Sequence, residues 1–388
     1  MIYATVALTF LAYVCVGLPL AALPIFVHGP LGFSPFIAGL AISIQYLATV
    51  LGRAQVGRLC DRRGPKTAGL LGFACVLLSG VLTLATVWLT AAPIAALASL
   101  MAGRLALGVG ESMIGTAAIT WAVGLVGADQ VVRVISWNGV ATYGGLALGA
   151  PMGAVLMSGF GFAGIGAAIL AAGVTGLIMT IAKRPAAILQ RSNTDQPEPP
   201  GLLLSITPYG VALALAASGF GVITAFMALF YASRHWGGAG LAITAFGVSF
   251  VAARLQLPSL ARRMTTRRIV LTTLAIEAVG LVLLWTAQTP VLALLGATLT
   301  GIGFAPIFPV LGAQALSKAP AYRRGYALGY YSVFQDISMG LCGPAAGFLI
   351  ERLGYSAPFA LGAAAVCAAF CLSLRLAWTR LPSPVSRS

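Results

Sequence analysis

Long stretches without a charged residue constrain this chain more than any other feature of its sequence. Residues 1–52, 67–103 and 134–182 contain no Asp, Glu, Lys or Arg. A helix that crosses a bilayer needs about 20 apolar residues, so each stretch is long enough for about two crossings. Only 8% of the 388 residues are charged, whereas soluble globular proteins carry about 25%. The sequence therefore predicts an integral membrane protein and excludes a secreted or cytosolic enzyme, because a water-soluble surface of this size needs polar cover.

Turn-rich and polar segments divide the chain into twelve predicted transmembrane helices. Breaks fall at 28–35, at Pro93 and at the glycine-rich stretch 158–166, and a longer polar segment with four prolines begins at Lys183. The predicted domains are a six-helix bundle over 1–182, a cytoplasmic linker over 183–204, and a second six-helix bundle with a short tail over 205–388. The spans predicted for the second bundle cover residues 205–233, 238–258, 269–288, 291–316, 325–350 and 355–377.

The distribution of positive charge predicts the orientation of the chain. Of the 23 Lys and Arg residues, 18 fall in segments on the same side as Met1, whereas only Arg234 and Arg352 fall in loops on the other side. Cytoplasmic loops carry such an excess, so both termini are predicted to be cytoplasmic. The net charge of +15 is then a signal of orientation. Nucleic acid is not expected as a partner.

Two sequence matches on either side of the linker indicate an internal repeat. Residues 39–59 align with residues 240–260 at an offset of 201, and eight of the 21 aligned positions are identical. A second match at an offset of 193 pairs Pro151 with Pro344 and includes flanking glycines. Because each half has an even number of predicted spans, both halves enter the membrane from the same side. The pattern predicts two pseudo-symmetric six-helix bundles related by an axis along the membrane normal.

Several short motifs resemble those of the major facilitator superfamily, over essentially the whole chain. Residues 57–66, Gly-Arg-Leu-Cys-Asp-Arg-Arg-Gly-Pro-Lys, are similar to the family's loop signature between spans two and three. Residues 104–112 resemble its fourth-span signature, and residues 145–153 resemble the fifth-span motif of its antiporter branches. The combination is most similar to a bacterial subfamily of arabinose-efflux-like permeases. The resemblance implies the major facilitator fold, transport by alternating access, a monomer in the bacterial inner membrane, and protons and a small-molecule substrate as partners.

The resemblance also implies a gate near the cytoplasmic side. Asp61 is expected at the amino end of span eleven, where the helix dipole favours an anion, or beside an arginine; alternatively it is an ordinary solvated loop residue. The two prolines of the repeat are expected to kink helices and to act in the motion between the halves rather than in substrate contact. The candidate gating residues are Gly57, Asp61, Arg62, Gly64, Lys66, Pro151 and Pro344.

Ionisable side chains inside the predicted spans carry the functional signal, because such groups are expensive in lipid and usually serve a pathway. Arg104 and Glu111 lie seven residues apart, hence about two turns along one helical face. Arg104 is a candidate for an anionic substrate group or for setting the proton affinity of a carboxylate. The candidate proton-coupling residues are Glu111, Asp336 and Glu277. The candidate substrate-binding residues are Arg104, Glu111, Tyr143, Tyr331, Gln335 and Asp336.

Each of these groups also has a structural interpretation. Arg104 and Glu111 can form a static pair, and Asp336 can pair with a backbone or basic group between the halves. The resemblance implies that span nine, which carries Glu277, is peripheral. There the residue would hydrogen-bond a neighbouring helix as the protonated acid.

Other polar residues within the spans are expected to be structural. Arg53 and Arg254 occupy equivalent places in the repeat near the cytoplasmic ends of their spans, and both are expected to snorkel or to pair with loop acids. The six cysteines have neither metal nor redox spacing, so we expect no disulfide, metal or cofactor.

The sequence favours a secondary active transporter that exports a small organic solute or drug in exchange for protons. There is no phosphate-binding loop to supply energy from ATP, and the few buried acids suit protons. An alternative is proton-coupled or facilitated uptake of a sugar or organic acid. More distant alternatives are an intramembrane lipid enzyme and a non-transporting sensor. The only histidines, His28 and His235, fall in predicted outer loops without a partner carboxylate, so no catalytic residue is assigned.

Overall fold

A computed structural model describes residues 2–127, 130–184, 201–320 and 324–378, apart from the side chains of residues 53, 54, 61, 131, 132 and 324–326. The described residues form twelve helical elements, which confirms the all-α fold class. They are α1 (Ile2–Gly17), α2 (Leu23–His28), α3 (Pro35–Trp88), α4 (Pro93–Val126), α5 (Val131–Ala182), α6 (Leu202–Ser233), α7 (Ala239–Arg263), α8 (Thr266–Trp285), α9 (Pro290–Phe304), α10 (Ile307–Ser317), α11 (Arg324–Leu353) and α12 (Ala357–Arg375).

These helices differ in extent from the predicted spans. The segment 57–66, predicted as a loop, is helical within α3 except at Gly64, whose φ of 82° turns the chain back. Likewise α5 contains predicted spans five and six, with a turn at Gly161 where φ is 63°. At these positive φ and extended ψ values a residue with a Cβ is destabilised by about 1–3 kcal/mol, so glycine suits both turns. Predicted span one divides into α1 and α2, and predicted span ten divides into α9 and α10 next to Pro306.

Ten helical segments of the described chain are long and apolar enough to cross a membrane, which identifies a multi-pass membrane protein. Two of these segments lie in α3, and one combines α9 with α10. One of them, Arg133–Ala182, has 50 residues and includes the turn at Gly161, and the shorter Ile2–Gly17 is also apolar. The number of twelve spans and the cytoplasmic position of both termini stay predictions. Residues 185–200, most of the predicted linker, lie outside the described residues.

Small residues bring the helices before the linker (α1–α5, the first half) into contact with those after it (α6–α12, the second half). A Cβ on Gly39 of α3 would lie 2.2 Å from the carbonyl oxygen of Gly343 of α11, and one on Gly247 of α7 would lie 2.3 Å from the Cβ of Ala147 of α5. Both contacts lie toward the side where α3 begins and α11 ends, which we call the low-charge side. The opposite, basic side carries Arg58, Lys66, Lys183, Arg262 and Arg263.

Candidate functional site

A polar cluster in the first half joins α3 to α4. The Nε2 of Gln45 donates a hydrogen bond to the Oε2 of Glu111 at 2.5 Å. The two helices approach closely because residue 108 is glycine: a Cβ there would lie 2.2 Å from the carbonyl oxygen of Gln45. Glu111 is 6% exposed, and Arg104, two turns earlier on α4, is 3% exposed. The two ionisable residues that the spacing places on one helical face are therefore both buried against α3.

Arg104 retains hydrogen-bonding capacity that the described residues do not use. Its Nη2 donates to the carbonyl oxygen of Ile42 at 3.5 Å, whereas Nε and Nη1 have no hydrogen-bond partner in the described part of the chain. The guanidinium interacts electrostatically with Tyr46 and Glu111. A buried donor without a partner costs about 1–3 kcal/mol, and more if it is charged. Arg104 is thus able to donate further hydrogen bonds to an acceptor group of a ligand.

Tyr46 connects this cluster to residues from other helices. It is buried and lies near Glu111 of α4, Tyr143 of α5 and Asp336 of α11. Across the boundary between the halves, the Nε2 of Gln335 on α11 donates to the hydroxyl of Tyr143 at 3.2 Å. The structure therefore places most of the predicted substrate residues in one polar region between the halves: Arg104, Glu111, Tyr143, Gln335 and Asp336.

Tyr143 is packed into an aromatic cluster of the second half. Its ring stacks on that of Phe250 of α7, with the centroids 3.6 Å apart and the planes at 25°. It also meets the rings of Phe220 of α6 and Phe304 of α9 edge-on, at centroid distances of 5.5 and 6.2 Å. Such edge-to-face and offset contacts are favourable for aromatic rings. Tyr143 thereby joins α5 of the first half to three helices of the second.

Arg254 and Tyr331 lie at the break between α9 and α10. The Nη1 of Arg254 donates to the carbonyl oxygen of Ala305 at 2.9 Å, and the hydroxyl of Tyr331 donates to the carbonyl oxygen of Phe308 at 3.0 Å. Arg254 also lies near Tyr143 and Tyr331. A cation at the carboxyl end of a helix is favoured by the helix dipole, which fits Arg254 at the end of α9.

The expectation that Arg254 snorkels is wrong, because the residue is only 8% exposed and its guanidinium binds the backbone inside the second half. Sequence reasoning missed its place beside the site. Pro306 and Pro309, inside predicted span ten, were the available signal: Pro309 has no backbone N–H to donate to the carbonyl oxygen of Ala305, four residues earlier, so that oxygen needs another donor. The side chain of Arg53, its equivalent in the repeat, lies outside the described residues.

Glu277 occupies a different environment from the other two acids. It lies on α8, is fully buried, and neither carboxyl oxygen has a hydrogen-bond partner among the described residues. A Cβ on Gly219 of α6 would lie 2.8 Å from its Oε1, and one on Gly303 of α9 would lie 2.6 Å from its Cβ. The hydrogen bond to a neighbouring helix expected for Glu277 is therefore not made in this structure.

Lys66 contacts its own half of the protein. Its Nζ donates to the carbonyl oxygens of Ile181 and Lys183 at the end of α5, both at 2.7 Å. The Nζ of Lys183 in turn donates to the carbonyl oxygen of Ala4 on α1. Because the last carbonyls of a helix have no partner within it, Lys66 completes the hydrogen bonding at the end of α5, and the two lysines together join three helices on the basic side.

The other candidate gating residues on α3 lie around its turn. Gly57 is helical, and a Cβ there would meet nothing within 4 Å. Arg62 is exposed and, together with Arg58 and Arg63, lines a surface cavity of about 310 Å³. The side chain of Asp61 lies outside the described residues, so its predicted contact with span eleven stays a prediction.

The two prolines of the repeat lie inside α5 and α11, next to small residues that contact the opposite half. The Cα of Pro151 would lie 3.5 Å from a Cβ on Gly240 of α7. Pro344 follows Gly343, whose backbone N donates to the hydroxyl of Ser43 on α3 at 3.2 Å. Both prolines thus lie at contacts between the halves rather than in the polar region, and their role in motion stays a prediction.

The described residues offer no arrangement of ligands for a metal ion. No group of three or more His, Cys, Asp or Glu side chains is placed to hold one in the part of the chain that the structure describes. All six cysteines are free thiols.

Known proteins share both the sequence pattern and the fold of this chain. A family model described as Major Facilitator Superfamily matches residues 5–238 and 209–388. An uncharacterized MFS-type transporter of Burkholderia mallei is 42% identical over 372 residues, which cover 96% of this chain and 91% of the relative. One of Pseudomonas aeruginosa is 43% identical over 375 residues, with coverage of 97% and 92%.

Solved structures with the same fold are much less similar in sequence. The inward-open xylose transporter XylE of E. coli superposes with a TM-score of 0.75 at 14% identity, covering 100% of this chain and 98% of the other. The human organic anion transporter MFSD10 gives a TM-score of 0.68 at 15% identity, with coverage of 96% and 98%. At these identities the likeness establishes the fold alone.

Proposed function

The chain belongs to the major facilitator superfamily, and from that premise we propose that it is a proton-coupled exporter of a small organic solute. Membership of the family supports transport, a multi-pass membrane location and a small-molecule substrate bound within the membrane. The exchange of substrate for protons, the outward direction, the bacterial inner membrane and the similarity to arabinose-efflux-like permeases are proposals that rest on the motifs.

The observation that carries the proposal is the buried polar region between the halves. Arg104 and Glu111 of the first half lie near each other, and Tyr46 lies between them and Asp336 of the second half, near all three. Ionisable groups are expensive inside a membrane and usually serve a transport pathway. A substrate at this place touches both halves, so its binding can follow their relative motion.

The proposed coupling uses the carboxyl groups as alternative binding sites for a proton or for the substrate. The substrate presents a hydrogen-bond donor to the carboxylate of Glu111 or Asp336 and an acceptor to the unused nitrogens of Arg104. A proton on the same carboxyl group removes its negative charge and turns one of its oxygens from an acceptor into a donor, so the proton and the substrate compete for the group. Because the two ligands exclude each other, the entry of protons from one side releases substrate on that side, which is antiport.

The names of the solved relatives suggest which solutes to test first. They include a nucleoside transporter, a D-xylose-proton symporter and an organic anion transporter. Solutes with hydroxyl and carboxylate groups suit the hydrogen-bonding groups of the polar region. The alternative function, proton-coupled uptake of a sugar or organic acid, uses the same residues and differs in the direction of coupling.

A two-stage experiment tests the proposal. A thermal-shift screen of the purified protein against sugars, nucleosides, organic acids, amines and antibiotics identifies a ligand. The protein is then reconstituted into vesicles with a pH-sensitive dye inside. We expect protons to move against the direction of the substrate. Glu111→Gln and Asp336→Asn, which mimic the protonated acid, should weaken ligand binding and abolish proton movement even at ligand concentrations that saturate the variant. Movement of both in the same direction would favour uptake, and substrate flux indifferent to a pH gradient would refute proton coupling.

A further inference from the structure

The low-charge end of α3 has an unusual arrangement of hydrogen bonds. Ser34 caps the helix by accepting from the backbone N of Ile37 at 3.5 Å, and its carbonyl oxygen accepts from Ala38 at 3.1 Å. Pro35, at the first helical position, has no backbone N–H. The remaining donor of the first turn is the backbone N of Phe36, and it donates to the Oε1 of Glu351 at 3.2 Å. A side chain of α11, in the second half, therefore completes the cap of a helix in the first half.

Glu351 is the last member of a stripe along α11 that contacts α3 at every fourth residue. The stripe consists of Met339, Gly343, Gly347 and Glu351. Its first member accepts a hydrogen bond through its carbonyl oxygen from the hydroxyl of Ser43, at 3.2 Å.

The glycines of the stripe set how closely α11 approaches α3. A Cβ on Gly343 would lie 2.3 Å from the carbonyl oxygen of Gly39, and one on Gly347 would lie 2.6 Å from the Cα of Phe36. The backbones meet without intervening side chains, and the carboxylate of Glu351 closes the contact at the low-charge end.

The corresponding interface between α5 and α7 has no such carboxylate among its described residues. The repeat offset of 193 pairs Glu351 with Ser158. The hydroxyl of Ser158 donates to the carbonyl oxygen of Val155 in its own helix. The interface between α3 and α11 thus has a charged side chain at a helix terminus of the opposite half. At the equivalent place between α5 and α7, the described contact is made by small residues.

We propose that Glu351 is the positioning residue that holds the low-charge side closed. The proposal rests on the alternating access of the proposed function. A carboxylate at the amino end of a helix is stabilised by the helix dipole and by a charge-assisted hydrogen bond. This contact exists only while α11 lies against α3, so it favours the closed low-charge side and is lost when the halves separate there. When that side opens, the N–H of Phe36 and the carboxylate of Glu351 lose each other and form hydrogen bonds with water instead.

The test measures the separation of the halves directly and needs no substrate. Spin labels are attached through Trp88→Cys at the end of α3 and Val291→Cys at the start of α9, where the native residues are 86% and 66% exposed. The exposed Cys367 and Cys371 are replaced by serine in this background. Pulsed electron paramagnetic resonance then gives the distances across the low-charge side in vesicles.

We expect Glu351→Ala to raise the ratio of molecules with the long distance to molecules with the short distance about fivefold. This change corresponds to ~1 kcal/mol, the contribution of a carboxylate at a helix terminus. Glu351→Gln should raise it less, because its amide oxygen still accepts from Phe36. The matched control, Ser158→Ala, should leave the distribution unchanged. A merely structural role would lower the melting temperature of Glu351→Ala without changing the ratio.

An unchanged distance distribution in Glu351→Ala would overturn the proposal, and so would an equal shift in Ser158→Ala. If Glu351→Ala does not fold, Glu351→Gln takes its place: a shift toward the long distance supports the proposal, and an unchanged distance distribution overturns it. A protein that shows both distances and responds to Glu351→Ala but moves no solute would refute the proposed function and leave the role of Glu351 supported.

Discussion

Replacement of Glu277 by methionine should stabilise the protein. The carboxyl group is fully buried, and both oxygens lack a hydrogen-bond partner among the described residues. A buried polar group without a partner costs about 1–3 kcal/mol even when it is neutral. Methionine has a similar length and a flexible side chain that adapts to the space beside Gly219. We therefore expect the free energy of unfolding of Glu277→Met to increase by about 1–3 kcal/mol.

The gain can be measured as a shift in the melting temperature of the purified protein in detergent, followed by the fluorescence of its six tryptophans. We expect an increase of roughly 2 °C or more. Glu277→Gln is the matched control, because it keeps two polar atoms in the same place and should give little gain. A lower melting temperature in Glu277→Met, or an equal increase in Glu277→Gln, would refute the reasoning from unpaired oxygens.

The same variant separates stability from coupling. Glu277 is a predicted proton-coupling residue, yet its contacts are with α6 and α9 of its own half. We expect vesicles with Glu277→Met to retain substrate-driven proton movement. If that movement is lost in a protein with a normal melting temperature, Glu277 belongs to the coupling pathway.

Three further predictions follow from contacts of the backbone. Gly153→Ala should lower the melting temperature by several degrees, because its Cβ would lie 1.8 Å from the carbonyl oxygen of Leu18. The control Gly159→Ala should have little effect, because its Cβ would meet no atom within 4 Å. Arg254→Met should lower the free energy of unfolding by about 1.5–3 kcal/mol, as urea unfolding would show, because it removes a charged donor from a buried carbonyl oxygen. Lys66→Met should speed hydrogen exchange at the end of α5, while equal exchange in variant and wild type would contradict its capping role.

The spacing of residues within one helix predicts local features of the site well. Arg104 and Glu111 lie on one buried face because a seven-residue separation is two helical turns whatever the tertiary packing. The positions of Gly64 and Gly161 in turns likewise follow from the conformational freedom of glycine. The predicted loop around Gly64 is wrong in extent, because a single residue with positive φ suffices to reverse the chain.

Contacts between distant helices are much harder to predict. The hydrogen bond between Gln335 and Tyr143 joins residues 192 positions apart, and nothing in either local sequence specifies the other partner. The burial of Arg254 depends on α7 packing against the break between α9 and α10, and no local sequence specifies that contact. The contact of Glu351 is equally hard to predict, because its partner is one of the unpaired backbone N–H groups of the first turn of α3, and that turn lies 315 residues earlier in the chain.

The lysine contacts at the end of α5 also bear on the order in which the chain assembles during synthesis. Lys66 finds its acceptors 115 and 117 residues later in the chain, and Lys183 returns to Ala4. All the residues of this network precede residue 185, so it can close before α6 has entered the membrane. The first half can therefore be complete in the membrane while the second half is still being inserted, and it then provides a finished surface on which α7 and α11 dock.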